Sequence, residues 1–379
     1  MTKPTRTKET SPMPNKQYTV GIVGLGYGRA HVAGFQAAGC NVVALCQRDT
    51  AAATELAARY GVSQVYSDWR AMLATARPDI VVIATPPALH LPIMTEAFAA
   101  GSHVVCEKPL ALTVDEAHRM IAAAQAAQRA AIVGFNWRFA PAMQRMKAMV
   151  DAGFLGRVFH VNCRWFNAAW VERGAAPSWR MDRAIAGYGA LGDLGVHLID
   201  LVRWLFGDVV RVIAASGVGY PARTVVGGAR AADAEDFSHV VAELRSGATM
   251  ALTVSRVARG LNEHSIEAYG ESGALSMRQC RTGAGWQTGE LRMAKGADLL
   301  SPVELPAPVG DAGESGDRLD ITGRATIAPM VQAFVAAIEN PLSAPAPSLC
   351  DGLRAQAVLE AIAASAANQS WIDIAPISV

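Results

Sequence analysis

The fold of this chain is decided at residues 19–31, which read TVGIVGLGYGRAH. A short apolar strand runs into a glycine-rich turn and a helix follows, which is the context that a dinucleotide-binding turn requires. Glycines in this turn let the backbone approach a pyrophosphate, whose charge then lies at the amino end of the helix. The spacing departs from the standard G-x-G-x-x-G pattern, because Arg29 stands where the third glycine belongs and Gly28 comes one residue early. We therefore predict a dinucleotide site formed by Gly24, Gly26, Tyr27 and Gly28.

Short apolar strands alternate with alanine-rich helical stretches from residue 18 to about residue 134. Strand, helix, strand repeated in this way predicts parallel pairing with right-handed crossovers, and hence a doubly wound α/β sheet. We expect this N-terminal Rossmann domain to span residues 18–137. Its strands are predicted at 19–23, 41–46, 64–66, 79–84, 103–106 and 131–134, and its helices begin near Ala30, Thr50, Asp68, Ala88 and Val114.

The tip of the second predicted strand bears on the choice of cofactor. A carboxylate there would accept hydrogen bonds from the ribose hydroxyls of NAD, whereas a neutral residue followed by arginine suits the extra phosphate of NADP. Gln47 occupies the tip and Arg48 follows it. Arg48 could instead cover an adenine face or be solvated, and Asp49 remains within reach. The cofactor is predicted to be NAD(P), with NADP favoured.

The pattern changes after residue 134. A long strand is predicted at 156–165, and further strands near 209–217, 237–244, 249–257 and 265–270 are joined by short turns. Consecutive strands of this kind argue for a large, mainly antiparallel open sheet packed against a helix at 191–206. Two C-terminal helices, at 327–340 and 351–368, precede a last strand at 371–374 and are expected to pack back on the first domain. We predict that residues 138–379 form an α+β domain for substrate binding and oligomerisation.

Composition excludes several classes of function. Lys+Arg 34 against Asp+Glu 33 gives a net charge of +1, and no basic stripe with interleaved aromatics is present, so neither nucleic acid nor an anionic membrane is an expected partner. The six cysteines form no C-x-x-C pair, which predicts no metal site and a reducing, cytoplasmic location. No apolar run has the length needed to span a bilayer. The polar residues 1–17 are interpreted as a disordered arm or an extended, dimer-clasping one.

A lysine stands at the edge of the predicted sheet. Glu107, Lys108 and Pro109 follow an apolar run that is predicted to be a buried strand. Ligands of open parallel sheets collect outside the carboxyl ends of the strands, so Lys108 is a candidate catalytic residue. The alternative is a solvated ion pair between Glu107 and Lys108, which would contribute almost nothing.

Residues 189–200, GALGDLGVHLID, carry a second polar constellation. In a helix, Asp193 and His197 are four residues apart and share one face. Gly195 inside that helix costs roughly 1 kcal/mol relative to alanine, which a closely approaching ligand or backbone would explain. The alternative is a core histidine that Asp193 satisfies.

Together these residues resemble the glucose-fructose oxidoreductase, inositol dehydrogenase and rhizopine catabolism family (Gfo/Idh/MocA). The resemblance covers nearly the whole chain from residue 18, and it includes the glycine turn, residues 84–90, residues 100–110, residues 136–139 and residues 189–200. It implies a catalytic group of Lys108, Asp193 and His197, with a cis peptide bond before Pro109. It further implies cofactor contacts from Thr85, Pro86, His90, Glu107 and Lys108, and substrate contacts from Lys108, Arg138, Trp179, Arg180, Asp193 and His197. It implies a homodimer or homotetramer that pairs through the open sheet.

The chemistry of these residue types agrees with such a role. A neutral imidazole can take the proton of an alcohol while hydride passes to nicotinamide, so His197 is the predicted base. A cationic Lys108 would stabilise the developing alkoxide, although a desolvated lysine could itself be the base. Asp193 would anchor either the substrate hydroxyls or the imidazole.

We therefore expect an NAD(P)-dependent oxidoreductase that acts on a secondary alcohol of a sugar, inositol or related cyclic polyol. Two alternatives remain open. One is an enzyme that keeps its NAD tightly bound and uses it transiently in glycoside cleavage or internal redox transfer. The other is a non-catalytic NAD(P)-binding regulator.

Overall fold

The structure, a computed structural model, describes residues 16–174, 178–225, 228–281, 288–305, 317–340 and 342–377. Apart from its last two residues, the predicted arm of residues 1–17 lies outside this description.

Six parallel strands alternate with five helices in the N-terminal half. The elements are β1 (Thr19–Val23), α1 (Gly28–Ala37), β2 (Asn41–Cys46), α2 (Thr50–Tyr60), β3 (Gln64–Tyr66), α3 (Trp69–Thr75), β4 (Ile80–Ile83), α4 (His90–Ala99), β5 (His103–Cys106), α5 (Val114–Ala127) and β6 (Ala131–Val133). The strand order β3-β2-β1-β4-β5-β6 confirms the predicted doubly wound sheet. The order reverses between β1 and β4, so the segments after the carboxyl ends of these strands border a crevice.

A second, nine-stranded sheet dominates the C-terminal half. Its elements and their neighbours are α6 (Pro141–Asp151), β7 (Val158–Phe166), α7 (Arg183–Ala186), α8 (Val196–Phe206), β8 (Val209–Gly217), β9 (Ala222–Val225), β10 (Gly228–Ala231), β11 (Phe237–Leu244), β12 (Thr249–Ser255), β13 (Glu263–Gly270), β14 (Gly273–Cys280), β15 (Glu290–Lys295), β16 (Ser301–Pro302), α9 (Arg318–Thr322), α10 (Ala328–Glu339), α11 (Leu349–Asn368) and β17 (Ile372–Asp373). The sheet order is β16-β15-β14-β13-β7-β12-β11-β8-β17, and only β7 and β12 pair in parallel. The prediction of a large, mainly antiparallel sheet is confirmed.

The inner face of this sheet meets α8 and α11, and the outer face is partly open. Along β7, Val161, Cys163 and Trp165 are buried whereas the residues between them and before them, His160, Asn162 and Arg164, are exposed. This alternation is the period of two that a one-sided sheet requires. Trp165 thereby reaches the helical layer where α8 begins.

The C-terminal helices pack against the first domain at two places. Gly323 lies against the backbone of α1, where an added Cβ would come 2.2 Å from the carbonyl oxygen of Ala30. Helix α11 begins with a capping box, in which Ser348 and Asp351 satisfy each other's backbone amides, and it packs against α5.

Two helical stretches are long and apolar enough to pass a length test for crossing a bilayer, which the sequence prediction did not anticipate. They are Arg183–Phe206 and Arg318–Glu339, and 83% and 61% of their most apolar windows are buried inside the molecule. Packing within the fold therefore accounts for their apolar composition.

Candidate active site

A cavity opens where the two halves of the molecule meet. On one side it is bordered by the segments that follow β1, β4 and β5, and on the other by β7, α8 and the turn of helix before α8. Its walls consist of Tyr27, Ala84, Thr85, Pro87, Glu107, Lys108, Pro109, Trp137, Trp165, Asn167, Trp179, Arg180, Ala186, Tyr188, Gly189, Gly192, Asp193, Leu194, His197, Arg281 and Leu319. The cavity thus contains the three predicted catalytic residues together with Tyr27, Thr85, Glu107, Trp179 and Arg180.

The glycine turn has the geometry that a dinucleotide needs. Gly24 has a φ of +90°, and an added Cβ would come 2.5 Å from the carbonyl oxygen of Ala84, so the turn lies tightly against the end of β4. A Cβ on Gly26 would meet nothing within 4 Å, which leaves open space beside the amino end of α1. Gly28 lies inside α1, where an added Cβ would come 3.2 Å from Ile22 of β1. Gly28 therefore provides the close helix–strand packing that the third glycine of the standard pattern provides.

The carboxylate nearest to the tip of β2 is that of Asp49, which is exposed. Gln47 is half-buried and Arg48 is exposed. The carboxylate of Asp49 accepts a hydrogen bond from the Ala52 amide and caps α2. This geometry is consistent with either form of the dinucleotide.

Glu107 connects the loop after β5 to the cofactor turn. Its Oε1 lies 2.7 Å from Nε2 of His31 in α1, and its Oε2 accepts a hydrogen bond from the Lys108 amide at 3.2 Å. Gly134 makes room for this carboxylate, because an added Cβ there would come 2.6 Å from Oε1. Glu107 and Lys108 therefore do not pair through their side chains, and the solvated ion pair considered from the sequence is not what the structure contains.

His90 bridges two loops behind the cavity rather than facing it. Its two ring nitrogens lie 3.1 Å from the Leu110 carbonyl oxygen and 3.0 Å from the Thr85 carbonyl oxygen. The side chain is fully buried, and burial lowers its pKa. His90 is not among the residues that line the cavity, and its expected cofactor contact stays a prediction. Pro86, also an expected contact, is half-buried and is not among the lining residues.

Lys108 reaches across from the first domain to the second. Its Nζ donates to the carbonyl oxygen of Asp193 at 2.7 Å and lies 3.4 Å from Oδ1 of the same residue, and Nε of Arg180 lies 3.6 Å from that oxygen. Burial acts to raise the pKa of Asp193, but the charges of Lys108 and Arg180 outweigh it and hold the pKa below its usual value. The bond before Pro109 is cis, as the resemblance implied.

His197 lies on the opposite wall from the Rossmann sheet. Its ring stacks on the Trp165 indole with centroids 5.4 Å apart, and its Nδ1 is enclosed without a hydrogen-bond partner among the described residues. Nε2 is therefore the nitrogen available to a bound molecule. Burial, then the charge of Lys108, holds the pKa of His197 well below its usual value, so the imidazole is neutral near pH 7. No hydrogen bond joins it to Asp193 within the described part of the chain, which argues against the alternative of a core histidine satisfied by that carboxylate.

The helix that carries Asp193 begins with a wider turn than the sequence suggested. Residues Leu191–Gly195 form a π-helical segment that continues into α8. Its start is held by Glu235, whose Oε1 accepts from the amides of Gly189 at 2.7 Å and Leu191 at 3.0 Å. An added Cβ on Gly189 would come 1.9 Å from the Glu235 carbonyl oxygen, so only glycine permits this approach. π-turns of this kind are common at functional sites.

Arg138, a predicted substrate contact, is not among the residues that line the cavity and lies behind it instead. Its Nε donates to Oδ2 of Asp200 at 2.8 Å, and its second terminal nitrogen contacts Asp200 and, at 3.3 Å, Asp351. The guanidinium is buried, and these two carboxylates engage its Nε and one of its terminal nitrogens. Arg138 therefore joins α8 to α11.

Several lining residues were not found from the sequence as site residues. They are Tyr188, Asn167, Trp165 and Arg281, which stand in none of the segments quoted above, and Trp137, which stands in residues 136–139 but was not named as a site residue. Trp165 ends a predicted strand, which was its only signal. Glu235 had no signal in the sequence, because the residues that it contacts lie 44 and 46 positions away.

A nicotinamide dinucleotide fits the residues present. The open space beside Gly26, the positive φ of Gly24 and the amino end of the ten-residue α1 match what a pyrophosphate requires. Within residues that the structure describes, no cluster of His, Cys, Asp and Glu side chains could hold a metal ion.

Comparison with known proteins agrees with this geometry. A model described as an oxidoreductase family with an NAD-binding Rossmann fold matches residues 18–135, and the GFO/IDH/MocA C-terminal domain matches residues 143–276. Levoglucosan dehydrogenase of Pseudarthrobacter phenanthrenivorans is 30% identical over 86% of this chain and 87% of its own, and D-apiose dehydrogenase of Paraburkholderia graminis is 30% identical over 69% and 68%. The structure of levoglucosan dehydrogenase in complex with NADH superposes with a TM-score of 0.84, at 28% identity, over 96% of this chain and 100% of that one. The chain therefore belongs to the Gfo/Idh/MocA family of oxidoreductases, and its N-terminal domain is the NAD-binding Rossmann fold of that family.

Proposed function

We propose that the protein is an NAD(P)-dependent dehydrogenase that acts on a secondary alcohol of a sugar or related cyclic polyol. The observation that carries this proposal is the convergence of Lys108, Asp193 and His197, from two domains, on one cavity beside the glycine turn. A cation, an anion and a neutral imidazole are the set of groups needed to bind a hydroxyl group and to remove its proton.

Each residue has a distinct part in the proposed reaction. A bound nicotinamide supplies the hydride acceptor in oxidation and the hydride donor in reduction. Nε2 of His197 takes the hydroxyl proton, and the neutral state that its lowered pKa ensures is the form that can accept it. Nζ of Lys108 donates to the Asp193 carbonyl and keeps further N–H donors for the reacting oxygen, where its charge stabilises a developing alkoxide.

The walls of the cavity support a sugar or polyol as the substrate. Trp137, Trp165 and Trp179 line it together with polar side chains such as Asn167 and Arg180. Aromatic faces suit the C–H faces of a sugar ring, and the polar groups suit its hydroxyl rim. Relatives named for levoglucosan and D-apiose dehydrogenation support the same class of substrate.

NADP remains our proposed preference, resting on Gln47 and Arg48 at the tip of β2. One oxygen of the nearby Asp49 carboxylate caps α2, which favours neither form of the cofactor. NADH in the structure of a relative supports the opposite preference. Parallel assays with both cofactors decide between them, and a strong preference for NAD would overturn the proposal.

We also propose that the outer face of the second sheet pairs with another copy of the chain. Val241 of β11 is 47% exposed on that face and lies opposite the exposed Ala251 of β12, and burying them would give apolar contact area. Sedimentation of the wild type and of a Val241→Asp, Ala251→Asp variant tests it, and an unchanged mass would contradict it.

The enzymatic proposal is tested by following reduced nicotinamide absorbance across sugars, inositols and their derivatives, with NAD and NADP in parallel. Substituting Lys108→Met should lower kcat by about 100-fold or more, the range for losing a charge-stabilising donor. Substituting His197→Gln should lower it by about 100- to 10,000-fold. Lys147→Met is the matched control, because that lysine lies on α6 and pairs with Asp151 outside the cavity.

The outcomes separate the alternatives. Substrate consumed without net NAD(P)H would favour an enzyme that uses bound NAD transiently. Activity that survives both Lys108→Met and His197→Gln would contradict the assigned roles.

A further inference from the structure

Arg281 is a cation in the cavity wall without a carboxylate partner. Its guanidinium lies 5.3 Å from the Trp137 ring centroid and 5.9 Å from that of Trp165, and none of the described residues forms a hydrogen bond or ion pair with it. Arg281 is half-buried, whereas the buried Arg138 and Arg256 are satisfied, since Arg138 pairs with Asp200 and Arg256 with Asp236. Burial lowers the pKa of Arg281, and the nearby Tyr27 and Asp193, which act to raise it, do not outweigh burial.

The charges around the cavity leave an excess of positive charge on the substrate side. Its cationic residues are Lys108, Arg180 and Arg281, and its anionic residues are Glu107 and Asp193. Glu107 is engaged by His31, and Asp193 is shared by Lys108 and Arg180. Asp193 is near enough to act on the charge of Arg281, but no carboxylate of the described residues forms an ion pair with it, so a ligand anion would complete the site.

Arg281 and the proposed base contact the same indole. His197 stacks on Trp165 at 5.4 Å, and the guanidinium lies 5.9 Å from the same ring centroid. A guanidinium lying over an aromatic ring is held in orientation, and its edge presents paired N–H donors to a planar acceptor. A small molecule can therefore place a hydroxyl at His197 and an anionic group at Arg281.

We propose that Arg281 binds a carboxylate of the substrate, so that the enzyme prefers sugar acids, such as uronic or aldonic acids, to neutral sugars. This inference rests on the proposed dehydrogenase function. The carboxylate is a spectator, because the alcohol loses its hydride to the nicotinamide and its proton to His197 while the acid group stays ionised.

The test compares matched pairs of substrates that differ only in the acid group. Glucose is compared with glucuronate, and methyl glucoside with methyl glucuronide, for kcat/KM in the wild type and in Arg281→Gln. The wild type should prefer the acids by about tenfold or more, and Arg281→Gln should lower kcat/KM for them by about 10- to 100-fold, the range for a hydrogen bond to a charged group. Neutral sugars should change by less than about threefold, and Arg292→Gln, an exposed arginine on β15, should change neither class.

Three results would overturn the inference or its basis. Neutral sugars oxidised faster than every acid would reject carboxylate recognition and leave the dehydrogenase proposal standing. A KM for NAD(P) that rises in Arg281→Gln, with both substrate classes equally affected, would assign Arg281 to the cofactor instead. No oxidation of either class with either cofactor would reject the proposed function itself. The wild-type comparison needs no variant, and Arg281→Lys, which keeps the charge, provides a second variant should Arg281→Gln fold poorly.

Discussion

Replacing Arg138 with methionine should destabilise the protein without impairing the site. The side chain joins the short turn after β6 to Asp200 of α8 and Asp351 of α11. Asp200 is 1% exposed, and burial raises its pKa even against the opposing charge of Arg138. Arg138→Met would therefore leave a buried carboxylate without its counter-charge.

The size of the effect follows from that unpaired charge. Removing one partner of a buried ion pair costs about 3–5 kcal/mol. Unfolding entropy of about 2.1 cal/mol/K per residue, applied to 379 residues, gives about 0.8 kcal/mol/K, so the melting temperature should fall by about 4–6 °C. The loss should shrink as pH falls through the raised pKa of Asp200, because the folded variant then binds a proton that removes the uncompensated charge.

Thermal unfolding and steady-state kinetics on the same preparations check this prediction. Arg138→Met, Asp200→Leu should recover part of the loss, because neither charge is then left alone. Arg157→Met, at an exposed arginine, should shift the melting temperature by less than about 1 °C. A variant that melts like the wild type but shows a tenfold higher KM for substrate would refute this reasoning and return Arg138 to the substrate site.

Two further predictions concern the cofactor turn and the base. Gly26→Ala should leave the melting temperature within about 1 °C but weaken NAD(P) binding about tenfold or more, because the added methyl meets only open space that the cofactor needs. Gly24→Ala, strained by its φ of +90°, should lower both the melting temperature and the affinity for NAD(P), with the affinities measured by calorimetric titration. Equal falls in melting temperature in the two variants would contradict this distinction. Since the pKa of His197 is well below its usual value, its base form persists as pH falls, so kcat/KM for oxidation should show no inflection near about pH 6.5. An inflection there that disappears in His197→Gln would show that the histidine titrates normally.

The fold of the first domain could be predicted because each of its strands and helices is indicated by its own residues. Each strand and helix between residues 18 and 134 carries its own hydrophobic pattern, and handed crossovers leave few ways to arrange them. The strand order of the second sheet could not be predicted from the sequence. Strand β7 pairs in parallel with β12 and antiparallel with β13, and neither strand follows it directly in sequence.

The residues of the candidate site could likewise be predicted where they stand in short motifs, and not where strand pairing brings them together. Lys108, Asp193 and His197 stand in short motifs and could be named from the sequence, whereas Trp165 and Arg281 meet only through strand pairing. Arg138 also stands in a motif, but its role depends on Asp200 and Asp351, which lie 62 residues and more away. The π-helical turn depends on Glu235, so the four-residue spacing of Asp193 and His197 predicted their proximity but not the hydrogen bonds around them.

A continuous set of contacts joins the cofactor turn to the substrate side. His31, on the helix that begins at the glycine turn, holds Glu107, and Glu107 holds the backbone amide of Lys108. The amine of Lys108 then donates to the carbonyl oxygen of Asp193 in the second domain. Every link is buried or half-buried, so displacing one partner leaves a polar group unsatisfied, and such a set holds one arrangement more firmly than separate surface contacts would. The position of Lys108 is therefore fixed from both domains, which is the preorganisation that a residue stabilising a developing charge requires.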